Sequence, residues 1–205
     1  MGTTLATAPE LDRSASPEER IRLATLACVA RFGSTKTTLD DIARESGVSR
    51  ATIYRVFPGG REILFEAVVA AEVRRFFAGL ADDLEGCDEL EDLLATGLGG
   101  AMRFLLGHEA LRTVVTLEPA LLLPQLAFHR LEGVLNLATA FAAPYLEPHV
   151  ARHADAVSGA EHLVRIVLSD ALHPDESLDP HDDASVRAFV RTHVLPGFRA
   201  VTPSA

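Results

Sequence analysis

Groups that bind phosphate oxygens and base edges are concentrated in one short stretch of the chain, from Ser49 to Arg55. Arg50 and Arg55 carry permanent positive charges that pair with phosphate or with the O6 and N7 acceptors of guanine. Thr52 and Tyr54 suit contacts to phosphate or to the methyl group of thymine. This stretch therefore predicts recognition of a DNA duplex.

Two short helices joined by a tight turn would position these side chains. Thr38 and Ser49 are expected as N-cap residues, with Asp41 at the capping-box distance from Thr38. Gly47 can adopt a positive φ in the turn without steric cost. The expected apolar contact between the helices comprises Ile42, Ala43, Val48 and Ile53. The residues expected to face outward, as on a helix that enters the major groove, are Arg50, Ala51, Thr52, Tyr54 and Arg55.

Backbone amides at helix starts are further candidates for phosphate contacts. We expect them after Thr38, after Ser49 and near Gly60. The alternative is an ordinary pair of short helices in an all-α core, with Tyr54 packed inside and Arg50 solvated. The local pattern alone leaves both interpretations open.

The whole chain follows a helical period. Apolar residues recur at intervals of three and four, and a two-residue alternation is not sustained anywhere. Ser16 caps a first helix that stops at Gly33, and a long helix is expected from Arg61 to about Glu85. The later helices are predicted at about 88–106, 109–116, 124–141, 150–172 and 184–194.

Charge and composition limit the class of protein. The formal net charge is −10, but residues 1–66 balance nine basic against nine acidic residues, whereas residues 67–205 carry ten basic and twenty acidic ones. Within the first part, residues 31–61 carry six basic and three acidic residues. This locally basic segment on an acidic chain suits one confined contact with phosphates. Two cysteines and no apolar h-region predict a cytoplasmic protein, and no apolar run is long enough for a membrane span.

The first quarter of the chain resembles the N-terminal domain of the TetR family of bacterial transcriptional regulators. The matching residues are Ile21, Ala24, Leu26, Gly33, the run from Thr37 to Ala43, Gly47, Val48, Ser49, the run from Ala51 to Tyr54, Phe57, Pro58 and the run from Arg61 to Leu64. Three positions depart from the family pattern. Ser34 stands where an aromatic is usual, and Val56 stands where histidine is frequent. Gly60, which Arg61 follows, stands where a lysine often contacts phosphate.

The resemblance implies an all-α fold of about nine helices. A disordered arm (1–17) would precede a three-helix helix-turn-helix DNA-binding domain (18–66), which a long helix joins to an effector-binding and dimerisation domain (67–205). It implies a homodimer that binds a palindromic double-stranded operator, most often as a repressor, and is released by a small-molecule effector. The implied DNA contacts are Thr38, Ser49, Arg50, Ala51, Thr52, Tyr54, Arg55, Gly60 and Arg61.

Candidate residues for the other two sites lie on apolar helix faces. The candidates for binding a mostly apolar, acyl-like effector are Phe76, Leu80, Leu94, Leu98, Met102, Leu105, Leu122, Leu126, His129 and Asn136. Those for the dimer interface, in the last two helices, are Leu163, Ile166, Val167, Val186, Phe189 and Val190. Glycines at 97, 99 and 100 indicate either a close helix crossing or room for a ligand.

Two other classes of function are alternatives to a ligand-responsive regulator. His149 and His153 are one helical turn apart, with Glu147, Asp155 and His162 nearby in sequence, so a metal-responsive regulator is an alternative. A helical enzyme is a weaker one, because the sequence has no nucleophile elbow, zinc-protease motif or phosphate loop. We therefore expect no catalytic residue, no metal and no cofactor.

Overall fold

A computed structural model describes residues 14–118, 130–172 and 178–199 of the 205-residue chain. These residues form helices joined by short turns, and within these three ranges there is no strand. The predicted all-α class is confirmed. None of the helices in these ranges combines the length and the apolar character needed to cross a membrane.

The first four helices begin and end at the residues that the sequence predicts. They are α1 (Pro17–Phe32), α2 (Leu39–Ser46), α3 (Arg50–Val56) and α4 (Arg61–Leu84). The hydroxyl of Ser16 caps α1 by accepting a hydrogen bond from the Glu19 amide at 3.2 Å. Gly33 ends α1 with φ +82°, a backbone angle that L side chains rarely adopt.

The later helices extend beyond two of the predicted ends. They are α5 (Leu90–Gly107), α6 (Glu109–Leu117), α7 (Arg130–Leu146), α8 (His153–Leu172) and α9 (Asp183–Phe189), which continues through a π-helical turn (Val190–Val194) into a last helical segment (Leu195–Arg199). The predicted end of the helix near residue 141 is wrong, because α7 continues through Pro144 to Leu146. Ala140 and Pro144 are both exposed, so the carbonyl that proline leaves unpaired can face water.

The chain divides into two compact units. The first comprises Met1–Arg74 and Glu109–Pro119, and the second comprises Arg75–His108 and Ala120–Ala205. The predicted division lay at 66/67, so the first unit includes more of α4 and all of α6. One physical reason is that α6 packs on α1, where the Thr113 hydroxyl donates to the Ala30 carbonyl at 2.8 Å.

The core of the first unit is built from α1 to α4. Ile21, Ala24 and Cys28 of α1 are buried, as the helical period predicts. They pack with the buried residues Leu39, Ile42, Ile53, Phe57, Leu64 and Val68. Ala43 and Val48 are half-buried against this cluster, so the predicted apolar contact between α2 and α3 is present.

The second unit has its own core along α5. Leu94, Leu98 and Met102 are almost completely buried there. A Cβ at residue 99 would lie 3.4 Å from Val186 Cγ1 of α9, and one at residue 100 would lie 3.2 Å from Leu80 Cδ1 of α4. Gly99 and Gly100 therefore lie close to neighbouring helices, which favours the close helix crossing among the two predicted explanations. Arg187 and Arg191 form ion pairs with Asp92 and Glu91 of α5.

Candidate nucleic-acid interface

The two helices of the predicted motif are joined by a turn whose backbone groups are paired. Thr38 Oγ1 accepts from the Asp41 amide at 3.2 Å, and the Asp41 carboxylate accepts from the Thr38 amide at 3.1 Å, which completes the predicted capping box. The Thr38 hydroxyl and amide hold the pKa of Asp41 below its ordinary value. At the other end of α2, Gly47 has φ +65°.

Arg20 of α1 fixes this turn from behind. Its Nη2 donates to the carbonyls of Ser46 and Gly47 at 2.6 and 3.2 Å. Helix C-terminal carbonyls have no partner within the helix, and a guanidinium satisfies two of them at once. No local spacing in the sequence reveals this role of Arg20, because its partners lie 26 and 27 residues away.

The predicted contact residues of α3 share one exposed side of the helix. Ser49 caps α3, with its hydroxyl accepting from the Thr52 amide at 3.1 Å. Ile53 is completely buried on the opposite side, whereas Tyr54 is 46% exposed. We call the exposed set Ser49, Arg50, Ala51, Tyr54 and Arg55 the α3 surface. Thr52 is half-buried beside it. The alternative in which Tyr54 is packed inside the core does not hold.

Arg50 contacts Asp40 in the first turn of α2 and the hydroxyl of Tyr54. Its Nη1 lies 3.2 Å from Asp40 Oδ1. A hydrogen bond with the Tyr54 hydroxyl, and then the charge of Asp40, raise the pKa of Arg50. Both partners of the ion pair are exposed, so exchange of Asp40 for a phosphate or a base costs little. The pairing of Asp40 with Arg50 is not evident from the sequence, because an acidic residue in the first turn of α2 is explained equally well by the helix dipole.

The start of α4 differs from the prediction. Gly60 is buried, and its amide donates to the Phe57 carbonyl at 3.0 Å. This internal partner does not favour the predicted phosphate contact from the Gly60 amide, which stays a prediction. Arg61 Nε donates to the Thr37 carbonyl at 3.1 Å, and its Nη2 donates to the Ser34 carbonyl. Arg61 thus holds the α1–α2 loop, while its guanidinium lies over the Phe65 ring at 4.4 Å.

The effector candidates are placed in different environments. Leu94, Leu98 and Met102 belong to the close-packed core, Phe76, Leu80 and Leu105 are half-buried, and Asn136 is exposed. Leu122, Leu126 and His129 lie outside the described residues. Full burial in a packed core means that Met102 can reach a ligand only if its neighbours move.

The dimer candidates also separate into two groups. Val186 and Val190 are buried in the core of their own chain, at 1% and 0% exposure, so their proposed place in a dimer interface is corrected. At this exposure their side chains have almost no surface with which to contact a partner. The remaining candidates, Leu163, Ile166, Val167 and Phe189, are half-buried and pack against the same core.

The histidines of the metal alternative do not form a ligand set. His153 Nδ1 lies 2.6 Å from Glu147 Oε1, a simple pair on the surface. Among the described parts of the chain, no three His, Cys, Asp or Glu side chains come together as they would around a metal ion.

This arrangement of a capped helix, a tight turn and an exposed cationic helix face is that of a helix-turn-helix DNA-binding domain. Residues 21–68 match the family model of the bacterial regulatory proteins of the tetR family. An uncharacterized HTH-type transcriptional regulator of Mycobacterium tuberculosis is 28% identical over 182 residues, which is 87% of this chain and 92% of that protein. One from Mycobacterium bovis is 47% identical over 45 residues, or 22% of this chain and 24% of that protein.

Solved structures share the fold over most of the chain. The TetR family repressor AlkX from a Dietzia strain, implicated in biodegradation of n-alkanes, is 23% identical with a TM-score of 0.62, covering 89% of this chain and 98% of that one. FadR from Bacillus subtilis, solved with stearoyl-CoA, is 19% identical with a TM-score of 0.62, covering 85% of this chain and 97% of that one. Residues 21–68 therefore match the TetR family of transcriptional regulators, and the chain shares the fold of solved TetR-family proteins over most of its length.

Proposed function

We propose that this regulator is a repressor that binds a palindromic operator as a homodimer. The observation that carries the proposal is the α3 surface, where Arg50, Tyr54 and Arg55 are exposed on a capped helix with a buried opposite side. Such a helix fits the major groove, and two copies related by a two-fold axis read the two halves of a palindrome.

The helices at the end of the chain are the proposed dimer contact. Because Val186 and Val190 are buried in their own chain, four candidates remain. They are Leu163, Ile166, Val167 and Phe189, which keep part of their apolar surface accessible. Pairing of this surface with a second copy would remove it from water. A dimer would also double the number of cationic contacts to DNA, so binding should weaken steeply with salt.

The proposed effector is a mostly apolar molecule with an acyl chain. A row of aromatic rings runs through the second unit, from Phe104 to Phe76, Phe77, Phe141 and Tyr145, with successive centroids 4.7–5.4 Å apart. These rings are half-buried and offer apolar surface to such a chain. The FadR neighbour, solved with stearoyl-CoA, supports the same class of ligand.

Effector binding would change the population of the conformation that binds DNA. A coupling of about 1–3 kcal/mol weakens operator binding by roughly 5–150-fold. α4 is the proposed link, because this single helix contributes residues to both compact units. The proposal involves no catalytic step.

Selection of bound duplexes from a random-sequence library, followed by fluorescence anisotropy on the selected duplex, tests the proposal. We expect a palindromic sequence bound by two chains and released by stearoyl-CoA but not by coenzyme A alone. Recovery of no common sequence would contradict operator binding. A selected sequence that no acyl compound releases would contradict only the proposed effector class.

A further inference from the structure

One buried carboxylate pairs with the loop that leads into α2. Glu118 follows α6 directly and is 9% exposed. Its Oε2 accepts from the Ser34 amide at 2.9 Å and from the Ser34 hydroxyl at 2.5 Å. Its Oε1 accepts from the Thr35 amide at 2.8 Å and from the Thr35 hydroxyl. Four donors of two consecutive residues are thus satisfied by one side chain.

The loop has the shape that this carboxylate needs. A Cβ at Gly33 would lie 2.8 Å from Glu118 Oε1, so a side chain here would displace the carboxylate from its observed place. Burial opposes ionisation of Glu118, but the hydroxyl and amide hydrogen bonds from Ser34 and Thr35 outweigh it and lower its pKa from 4.5 to about 2. The acceptor is therefore ionised at neutral pH, when its hydrogen bonds are strongest.

The same loop is held from its carbonyl side by Arg61. That guanidinium donates to the carbonyls of Ser34 and Thr37, and the Thr37 hydroxyl donates to the Gly33 carbonyl at 2.7 Å. The next residue, Thr38, caps α2. The loop therefore reaches the N-terminus of α2 with both its donors and its acceptors fixed by side chains.

We propose that Glu118 is a positioning residue for DNA binding, which fixes Ser34 and Thr35 and thereby places the N-terminus of α2 against a phosphate. The inference rests on the proposed DNA-binding function and deepens it. The Leu39 and Asp40 amides of the first turn of α2 are the groups that would contact the phosphate, because the Asp41 amide already donates to Thr38 Oγ1. Without Glu118, the loop loses the acceptor for four donors, and the first turn of α2 loses its fixed place.

The net charge of the protein predicts the opposite effect of losing Glu118, so the sign of the change in DNA affinity separates the two explanations. Glu118→Gln removes one negative charge, and a less negative protein should bind a polyanion more tightly. If Glu118 acts by position, the same substitution weakens binding. Glu109→Gln is the matched control, because Glu109 is an exposed carboxylate at the first position of α6, the helix that Glu118 follows.

The experiment measures affinity for the library-selected duplex by fluorescence anisotropy at several salt concentrations. We expect Glu118→Gln to bind about tenfold more weakly, in line with loss of hydrogen bonds to a charged acceptor. Because the proposed contact is made by uncharged amides, the slope of log affinity against log salt should change by less than the value of about 0.9 that one lost cationic contact gives. Circular dichroism checks that the variant is folded under the conditions of the titration. Glu109→Gln should bind as tightly as the wild type or slightly more tightly.

A double substitution tests the same contact from the loop. Ser34→Ala with Thr35→Ala should weaken binding in the same direction, and adding Glu118→Gln should then cost less than it does alone. If Glu118→Gln does not fold, the loop double variant decides by its own affinity. The proposal is overturned by wild-type affinity in the folded variant, or by additive effects. If Arg50→Ala also binds normally, the proposed DNA-binding site itself fails.

Discussion

At the scale of single residues, the side chains proposed to meet DNA are held by their neighbours. Arg50 pairs with Asp40 and Tyr54, and the Tyr54 ring lies so close to Gly60 that a Cβ there would be 3.0 Å from its Cε1. These contacts restrict the rotamers of Arg50 and Tyr54 before DNA arrives. Less side-chain entropy is then lost on binding.

Replacement of Arg50 by alanine tests its assignment as a base or phosphate contact. We expect specific affinity for the selected duplex to fall by about 1–3 kcal/mol. Arg152→Ala is the charge-matched control, because Arg152 is an exposed arginine of the second unit that also pairs with an aspartate. Anisotropy titrations at one salt concentration compare the variants. Equal losses in both variants would show that only net charge matters.

The low pKa of Glu118 predicts a particular dependence of stability on pH. The pKa of about 2 in the folded state lies below the ordinary 4.5, so this carboxylate stabilises the fold above about pH 4.5 and loses that effect as the pH falls towards 2. Urea unfolding of the wild type and Glu118→Gln should therefore differ most above pH 4.5. The difference should shrink between pH 4.5 and pH 2. A difference independent of pH would contradict an ionised Glu118.

At the scale of helices, the structure agrees with the sequence at the capping residues and at the glycines that end helices. Ser16, Thr38 and Ser49 cap their helices, and Gly33 and Gly47 end theirs, because each acts on backbone groups within a few residues. Prolines are less reliable signals of where a helix ends. α7 passes through Pro144, and a π-helical turn, in which the Leu195 amide bonds to the Val190 carbonyl, leads into Pro196.

The caps of α1 and α3 give a matched pair of substitutions. Ser16→Ala and Ser49→Ala each remove one hydroxyl acceptor, so each should lower the free energy of unfolding by about 1 kcal/mol. Ser49 belongs to the α3 surface, so only Ser49→Ala should also weaken DNA binding. Urea titration and anisotropy measure the two effects. A similar loss of DNA affinity in both variants would mean that the caps act only through general stability.

At the scale of the whole molecule, contacts between distant parts of the sequence were not predictable. Glu118 is 84 and 83 residues away from its partners Ser34 and Thr35, and no spacing rule connects them. Val186 and Val190 have the period of an exposed apolar stripe, but α9 packs them against α5 in the same chain. A helical period shows which residues share a face, and tertiary packing decides what that face meets.

The proposed dimer predicts a definite mass in solution. Sedimentation equilibrium should give twice the 22.0 kDa of one chain, without DNA and at micromolar concentration. The acidic residues 67–205, with ten basic and twenty acidic side chains, should keep binding to unrelated DNA weak. A mass of one chain at all concentrations tested would exclude a preformed dimer.

The central claim is that the α3 surface reads a DNA sequence, and a competition titration tests it most directly. The selected duplex is titrated with protein in the presence of a scrambled duplex of the same composition, with the wild type and Arg50→Ala side by side. The account predicts that the wild type prefers the selected duplex by at least about a thousandfold and that Arg50→Ala loses part of this preference. Equal affinity for both duplexes, or an unchanged preference in Arg50→Ala, would contradict it.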